Sequence, residues 1–401
     1  MNLPSVDPLV PAIHAAGRPL VLIVTGGGSL AISRLLTVPG ASHTILEALV
    51  PYSSESLTNL LGKRPEQFCS AATARALAAG AHQRATRWHS AAHHETPPPP
   101  NHPAVAPRVL GVACTASLVS AVPKRGAHRL HLALHDDAGT EQVSVELLRG
   151  ARDRLAEESL TADLILSSIA RACNGTSVSD LPGSLTEHDT WSTRRVDACR
   201  EWQELLSGQR ATVATNQATP SVAANLPQLL FPGSFNPLHQ GHQQIAEIAS
   251  RLIGVPTEFE MAIENVDKPP LDYLTIEDRR QQFTVEQRLW LTREPTFVGK
   301  ARIFPGATFV VGADTIIRIA QPKYYGGSDA ACRAAVAEIE RQGCRFLVFG
   351  RMIDGAFRTL DELPIAPDLR ALCTGVPATE FRCDVSSTEL RGLKHGGAED
   401  I

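Results

Sequence analysis

The feature that most constrains this chain is residues 228–242, where a short apolar run leads into a turn rich in proline and glycine. Apolar side chains then recur at helical spacing over residues 245–253, which predicts a helix. A strand, a turn and a helix in this order place His239 and His242 on the first helical turn. Residues three apart on a helix share one face, so we expect the two imidazoles to lie together.

The start of this predicted helix suits a phosphate group. Its first backbone N–H groups have no partner within the helix, and the helix dipole is positive there. Gly233 and Gly241 remove side chains where a nucleotide could approach the backbone. The pattern therefore predicts a nucleotide site. The alternative is a chance turn followed by a helix with two incidental histidines.

Residues 233–242 resemble the His-x-Gly-His nucleotidyltransferases, specifically the Gly-x-Phe-x-Pro-x-His-x-Gly-His form of nicotinamide and nicotinate mononucleotide adenylyltransferases. The resemblance implies that His239 and His242 are catalytic. They would bind the nucleoside triphosphate and stabilise charge on the α-phosphate while the phosphate of the acceptor displaces pyrophosphate. It also implies that ATP contacts the turn, at Gly233, Ser234, Phe235, Asn236 and Gly241.

Later stretches resemble the same family. Lys268 lies in a loop where the family places a lysine toward phosphate, and residues 312–314 match its Gly-x-Asp turn, which implies that Gly312 and Asp314 face the nucleotide. Residues 385–391 match its Ser-Ser-Thr-x-x-Arg motif, in which hydroxyl and N–H groups hold the β- and γ-phosphates and Arg391 adds a planar charged fork. The ATP-binding residues of that motif are Ser386, Ser387 and Thr388. Taken singly, such residues are also common as helix caps or solvated loop charges.

The matches predict transfer of AMP from ATP to nicotinamide or nicotinate mononucleotide, as in NAD biosynthesis. A histidine at 239, where pantetheine-phosphate adenylyltransferases usually carry threonine, favours a mononucleotide acceptor, and the final motif favours ATP over CTP. Mg²⁺ is the expected cofactor, bound with ATP. A phosphate oxyanion needs no general base, so catalysis would be positioning and charge neutralisation, with His239, His242, Lys268 and Arg391 as the positive groups.

Residues 1–172 are predicted to form an α/β domain. Its glycine turn, residues 25–29, lacks the Gly-Lys-Ser/Thr of a phosphate-binding loop and is better explained as a strand–helix turn. Residues 87–107 carry four consecutive prolines and four histidines and predict an exposed loop. Residues 141–172 are predicted to be mostly helical.

Residues 19–172 resemble the CinA-like amidase family, whose active members deamidate nicotinamide mononucleotide. The resemblance rests on the segments 25–29, 38–42, 50–53, 70–85, 111–116 and 123–126. Active members carry a serine nucleophile and a lysine, and the matching places here hold Thr25 and Leu57. Such a pair works because the amine takes the hydroxyl proton, so the resemblance implies a fold kept without its reaction.

Residues 173–226 are predicted to be a linker with one docked helix, over 196–206. From 227 to 401, strands and helices alternate, which predicts a doubly wound, Rossmann-like parallel sheet. Within it, a helix is predicted from Thr275, with Asp278 completing a capping box, to about Leu291. The predicted fold is thus a CinA-like α/β domain followed by a nucleotidyltransferase domain.

Composition narrows the remaining choices. A net charge of −4 gives no reason to expect nucleic acid or an acidic membrane as partner, so small-molecule nucleotides remain. Eight cysteines without a Cys-x-x-Cys pair argue against a zinc site and fit reduced thiols in the cytoplasm. The early apolar run, residues 19–24, is too short to span a bilayer. A homo-oligomer is left open, as are two other functions: an amidohydrolase acting through the N-terminal domain, and a non-catalytic nucleotide sensor.

Overall fold

The computed structural model describes residues 9–94, 108–122, 126–174, 185–215, 226–264 and 268–381. The chain divides into two compact units, the first made of residues 1–203 and 267–275 and the second of residues 204–266 and 276–401. One boundary falls between residues 203 and 204, and two more, at 266/267 and 275/276, set off the short segment that belongs to the first unit. A six-stranded sheet organises the first unit and a seven-stranded sheet the second.

The first sheet has the order β2-β1-β3-β4-β5-β6. Strand β1 pairs in parallel with β2 and β3, and the later neighbours are antiparallel. The elements are α1 (Leu9–Ala15), β1 (Leu20–Thr25), α2 (Ser29–Leu36), β2 (Ile45–Leu49), α3 (Ser54–Leu61), α4 (Ala71–His94), β3 (Leu110–Ser117), β4 (His128–Asp136), β5 (Gly139–Leu147), α5 (Arg154–Asn174), β6 (Thr190–Asp197) and α6 (Arg200–Leu206), the last of which crosses the division between the units.

Strand β1 is buried along its whole length because helices cover both faces of the first sheet. Leu20, Leu22 and Val24 belong to one core cluster together with residues of α1, α2 and α5. Val21 and Ile23 belong to a second cluster with residues of α3 and α4. A strand that is covered on both faces needs a continuous apolar run, which is why its sequence shows no alternation.

Two sequence predictions for the first unit are wrong in detail. Helix α4 continues to His94, into the predicted loop 87–107, because no proline interrupts the chain before Pro97. Residues 139–147 form a strand where a helix was predicted from 141, since Val143, Val145 and Leu147 alternate with polar residues at strand period. Residues 95–107 lie outside the described part of the chain.

The segment predicted as a linker also supplies two strands. Strand β6 is the edge of the first sheet, and its residues are exposed on both faces, so it carries no apolar alternation for a sequence pattern to detect. Residues 212–215 form β7, which pairs antiparallel with a strand of the second sheet. The docked helix is α6, four residues shorter at its start than the prediction of 196–206.

The second sheet is doubly wound, which confirms the predicted architecture. Its order is β15-β12-β11-β8-β9-β10-β7, with all neighbours parallel except β10 and β7. The elements are β7 (Thr212–Thr215), β8 (Leu229–Pro232), α7 (Gln240–Ile253), β9 (Glu258–Ala262), α8 (Tyr273–Arg280), β10 (Leu289–Thr292), α9 (Phe297–Ile303), β11 (Thr308–Gly312), α10 (Ala313–Ile319), α11 (Asp329–Arg341), β12 (Arg345–Phe349), a hairpin of β13 (Arg351–Ile353) and β14 (Ala356–Arg358), α12 (Pro367–Ala371) and β15 (Cys373–Gly375).

The helix predicted from Thr275 to about Leu291 is wrong in extent. Helix α8 ends at Arg280, and residues 289–292 form β10, a buried strand between β9 and β7. The N-terminal cap is Asp272, whose carboxylate accepts from the backbone N–H of Thr275 at 3.0 Å, and not the predicted pair of Thr275 with Asp278. A short apolar run such as 289–291 suits a buried strand and a helix equally well, so tertiary pairing decides between them.

A buried ion pair crosses from α9 to the second sheet. Nζ of Lys300 donates to Oε1 of Glu260 at 2.5 Å, and the hydroxyl of Thr292 donates to the same oxygen. Lys300 is 4% exposed and Glu260 is fully buried. A buried charge of this kind is stable only while its partner is present.

Candidate functional site

The candidate site lies at the C-terminal ends of β8, β11 and β12. Strand order in the second sheet reverses between β8 and β11, and ligands of doubly wound sheets bind outside the carboxyl ends of the strands at such a point. The turn 233–238 follows β8, Gly312 ends β11, and Arg351 lies two residues after the end of β12. The topology therefore brings the His-x-Gly-His stretch and the Gly-x-Asp turn to one edge.

The turn after β8 is built around a buried phenylalanine. Phe235 has a positive φ of 44° and is 1% exposed. Its ring contacts three other phenylalanines edge to face, with ring centroids 5.3 to 5.8 Å apart: Phe231, Phe259 and Phe283. A Cβ on Gly233 would lie 2.6 Å from this ring, so residue 233 has to be glycine. Of the other predicted ATP contacts here, Ser234 and Asn236 are exposed and Gly241 is buried.

Two side chains at the end of α8 and just beyond it hold this turn in place. Arg279 donates to the carbonyl of Ser234 at 3.0 Å. Gln282 donates to the carbonyl of Phe235 at 3.3 Å and accepts from the N–H of Leu238 at 2.7 Å. Neither residue was predicted, because in the sequence both read as ordinary polar positions of a helix.

His239 and His242 meet at the start of α7, as their spacing predicts. Their ring centroids are 3.8 Å apart, and the backbone N–H of His239 donates to Nδ1 of His242 at 3.2 Å. An imidazole nitrogen that accepts from an N–H carries no proton, so in neutral His242 the proton is on Nε2. Nε2–H is therefore a hydrogen-bond donor available to a ligand.

Burial keeps both imidazoles neutral. His242 is 9% exposed, and burial, then the charges of His239 and Arg351, lower its pKa to about 3. The pKa of His239 is lowered too, first by burial and then by Arg351. Both imidazoles are therefore uncharged at neutral pH and can act as hydrogen-bond donors, and the catalytic role predicted for them stays a prediction.

A positively charged side chain, Arg351, lies beside Gly312. A Cβ on Gly312 would lie 2.6 Å from Oδ1 of Asp314 and 3.0 Å from Nε of Arg351, so the glycine lets both side chains come close to the strand end. Asp314 is half exposed and forms an ion pair with Arg318 at 3.0 Å. The sequence analysis did not identify Arg351 as a site residue. The one feature that could have identified it is its position directly after a strand that ends at this edge of the sheet.

The roles of the remaining predicted site residues stay predictions. Lys268 is exposed and belongs to the first unit, so its role toward phosphate stays a prediction. Ser386, Ser387, Thr388 and Arg391 lie outside the described residues.

In the first unit, Thr25 and Leu57 occupy the positions of the serine and lysine of active CinA-like amidases, and both contact other groups. The hydroxyl of Thr25 donates to the carbonyl of Pro51 at 2.9 Å. Leu57 is 2% exposed and packs in the core between α3 and α4. Thr25 lines a cavity of about 380 Å³, together with Tyr52, Cys69 and Arg154, whereas Leu57 does not.

A carboxylate occupies the start of α2 beside the glycine turn. Glu158 accepts from the N–H of Gly28 at 2.9 Å, the N–H of Leu30 at 3.1 Å and the hydroxyl of Ser29 at 2.9 Å. These donors would otherwise be the ones offered to a phosphate. The turn is therefore a capped strand–helix connection, in agreement with the sequence analysis.

The described part of the chain contains neither a candidate metal site nor a candidate membrane-spanning helix. Residues 9–94, 108–122, 126–174, 185–215, 226–264 and 268–381 contain no group of three or more His, Cys, Asp or Glu side chains placed to hold a metal ion. Over the same residues, no helix is both long and apolar enough to cross a membrane.

Known proteins match each part of the chain. Residues 230–393 match the family model described as cytidylyltransferase-like. No curated protein matches the chain. Among solved structures, the chain is similar to the competence/damage inducible protein CihA from Agrobacterium tumefaciens, with 17% identity over 44% of this chain and 96% of that chain and a TM-score of 0.30. A competence-damaged protein (CinA) superfamily protein from Escherichia coli matches with 13% identity over 43% of this chain and 94% of that chain, at a TM-score of 0.31.

The sequence identity and TM-score to these solved structures are too low to assign an activity to the first unit. For the second unit, the doubly wound sheet lies within the residues that the family model matches. The C-terminal part of the chain is therefore similar to cytidylyltransferase-like domains.

Proposed function

We propose that the second unit transfers AMP from ATP to the 5′-phosphate of nicotinamide or nicotinate mononucleotide, giving the dinucleotide and pyrophosphate. The observation that carries this proposal is the pairing of His239 with His242 at the start of α7, where the backbone N–H of His239 donates to Nδ1 of His242 and leaves Nε2–H of His242 as a donor. The family match supports nucleotidyl transfer as a class. The choice of ATP and of a pyridine mononucleotide is supported by His239 and by the motif at 385–391.

The reaction needs no group that removes a proton. An oxygen of the acceptor's phosphate donates an electron pair to the α-phosphorus of MgATP, a new P–O bond forms, and the bond to the β-phosphate oxygen breaks with its electrons leaving on pyrophosphate. Charge on the α-phosphoryl oxygens is then stabilised by fixed donors. Nε2–H of His242 and the ring of His239 are the side-chain donors proposed at this edge, and the backbone N–H of His242 is already used in the cap of α7.

The turn 233–238 contributes by fixing the position of these donors. Phe235 contacts the ring of His242 edge to face at 5.3 Å, and Arg279 and Gln282 bind the carbonyls on either side of it. A donor held in advance costs no reorganisation when the transition state forms, which is where most of its catalytic effect comes from.

Release of pyrophosphate tests the proposal. The full-length chain is incubated with MgATP or MgCTP and one acceptor at a time: both pyridine mononucleotides, phosphopantetheine and glycerol phosphate. We expect release only with ATP and a pyridine mononucleotide. Release only with CTP, or only with phosphopantetheine, would refute the proposed substrates, and ATP binding without release for every acceptor would indicate a nucleotide sensor.

An amidohydrolase function of the first unit is not proposed. The reaction needs an amine beside the hydroxyl nucleophile, and Leu57 occupies the place of the lysine and packs in the core.

A further inference from the structure

The two imidazoles at this site are neutral because burial lowers the pKa of both. Lys268 belongs to the first unit and Arg391 lies outside the described residues, so the phosphate-binding roles of both stay predictions. A nucleoside triphosphate carries several negative charges, so a site for it needs at least one positive side chain near the α7 start.

Arg351 is such a side chain. It begins β13, directly after Gly350 at the carboxyl end of β12, and β12 pairs in parallel with β11 so that Phe349 lies opposite Gly312. Its Nε would be 3.0 Å from a Cβ on Gly312, which places the guanidinium group over the end of β11. It is also near enough to both histidines for its charge to disfavour their protonated forms.

The guanidinium group of Arg351 has no polar partner among the described residues. Within those ranges it forms no hydrogen bond and no ion pair, and it is partly exposed. Its neighbour in the hairpin differs: Arg358 lies directly opposite in the β13–β14 register and forms an ion pair with Glu362 at 3.6 Å. A guanidinium group has five N–H donors, and those of Arg351 form no hydrogen bond with the described residues. A partly buried arginine of this kind at a sheet edge can bind a planar or tetrahedral anion.

We propose that Arg351 is a phosphate-binding cation of this site and contacts the triphosphate of the nucleotide, while His239 and His242 act as neutral donors. This inference deepens the proposed function and rests on it for the identity of the nucleotide. The phosphate contact itself depends only on charge and geometry, so inorganic tripolyphosphate is a ligand by the same chemistry.

The test measures binding of MgATP and of tripolyphosphate to the full-length chain by titration calorimetry. Replacing Arg351 with glutamine removes a charged hydrogen-bond donor, so we expect Arg351→Gln to weaken both ligands about 10- to 100-fold. Arg351→Lys keeps the charge but loses the fork, and we expect an intermediate loss. Arg358→Gln is the matched control on the same hairpin, and we expect it to bind both ligands as the unchanged chain does.

A second readout separates a phosphate contact from a structural effect. Removing the charge of Arg351 should raise the pKa of both histidines in an NMR titration. Thermal unfolding should be unchanged, because the side chain forms no hydrogen bond or ion pair with the described residues. If Arg351→Gln binds ATP and tripolyphosphate as tightly as the unchanged chain does, the inference is overturned and adenylyl transfer still stands. If the variant loses binding, and the unchanged chain binds both ligands but transfers no AMP, the inference is supported and the proposed function is refuted. Failure of the unchanged chain to bind either ligand would overturn both.

Discussion

Replacement of His242 by alanine separates two roles of one side chain, because its two ring nitrogens do different things. Nε2–H is the donor proposed to stabilise charge on the α-phosphoryl group. Loss of one preorganised donor of this kind lowers turnover by about two to three orders of magnitude. We expect a decrease of that size in pyrophosphate release by His242→Ala, with the reaction otherwise unchanged.

The other nitrogen stabilises the fold. Nδ1 accepts from the backbone N–H of His239 at 3.2 Å, and the ring packs edge to face on Phe235 at 5.3 Å. Since His242 is 9% exposed, its removal leaves that N–H without a partner, at a cost of about 1–3 kcal/mol in the free energy of unfolding. From the sequence alone, a histidine at a helix start would be expected to be partly exposed, and its replacement would be expected to change the free energy of unfolding little.

His242→Asn distinguishes the two roles. The amide oxygen of asparagine reaches the position of Nδ1 and can accept from His239, but nothing reaches the position of Nε2. We expect this variant to recover most of the stability and none of the activity. Trp290 is the only tryptophan of the second unit, so its 5-fluorotryptophan NMR signal in a urea series reports the unfolding of that unit alone. Wild-type turnover in either variant would refute the role of Nε2–H, and equal stability of the two variants would refute the role of Nδ1.

Three further predictions follow from contacts described above. Gly233→Ala forces a Cβ to within 2.6 Å of the Phe235 ring, so we expect a loss of about 1–3 kcal/mol by the same fluorine measurement, and a stable variant would contradict this packing. Lys300→Met leaves Glu260 charged and buried, at a cost of about 3–5 kcal/mol; the double variant with Glu260→Leu should recover most of it, and no recovery would refute the pairing. The full-length chain should release no ammonia from nicotinamide mononucleotide, and turnover that disappears in Thr25→Ala would refute this.

The parts of the fold and site that the sequence predicts are those determined by local pattern. The strand, turn and helix around residues 228–253 appear as β8, the turn 233–238 and α7, because apolar spacing and turn residues act over neighbouring positions. The meeting of His239 with His242 follows from helix geometry alone. The doubly wound sheet follows from the alternation of strands and helices.

The parts that the sequence does not predict depend on residues far apart in the chain. Arg351 lies more than a hundred positions after His239, and only the parallel pairing of β11 with β12 brings it to the same edge. Gln282 holds a turn more than forty residues earlier. The neutral state of the histidines depends on how deeply the fold buries them, which no spacing rule contains.

The two glycine turns of this chain show how the same local pattern can lead to opposite uses. Each follows a buried strand and precedes a helix, so each offers N–H groups to an anion. At α2 the anion is supplied by the protein itself, because Glu158 accepts from Gly28 and Leu30. At α7 the two histidines cap each other's backbone N–H groups, but their imidazoles carry no negative charge, and Arg351 has no polar partner among the described residues nearby. An anion from outside is therefore repelled by a carboxylate at the first turn and meets uncharged caps and an arginine at the second, and we expect the nucleotide there.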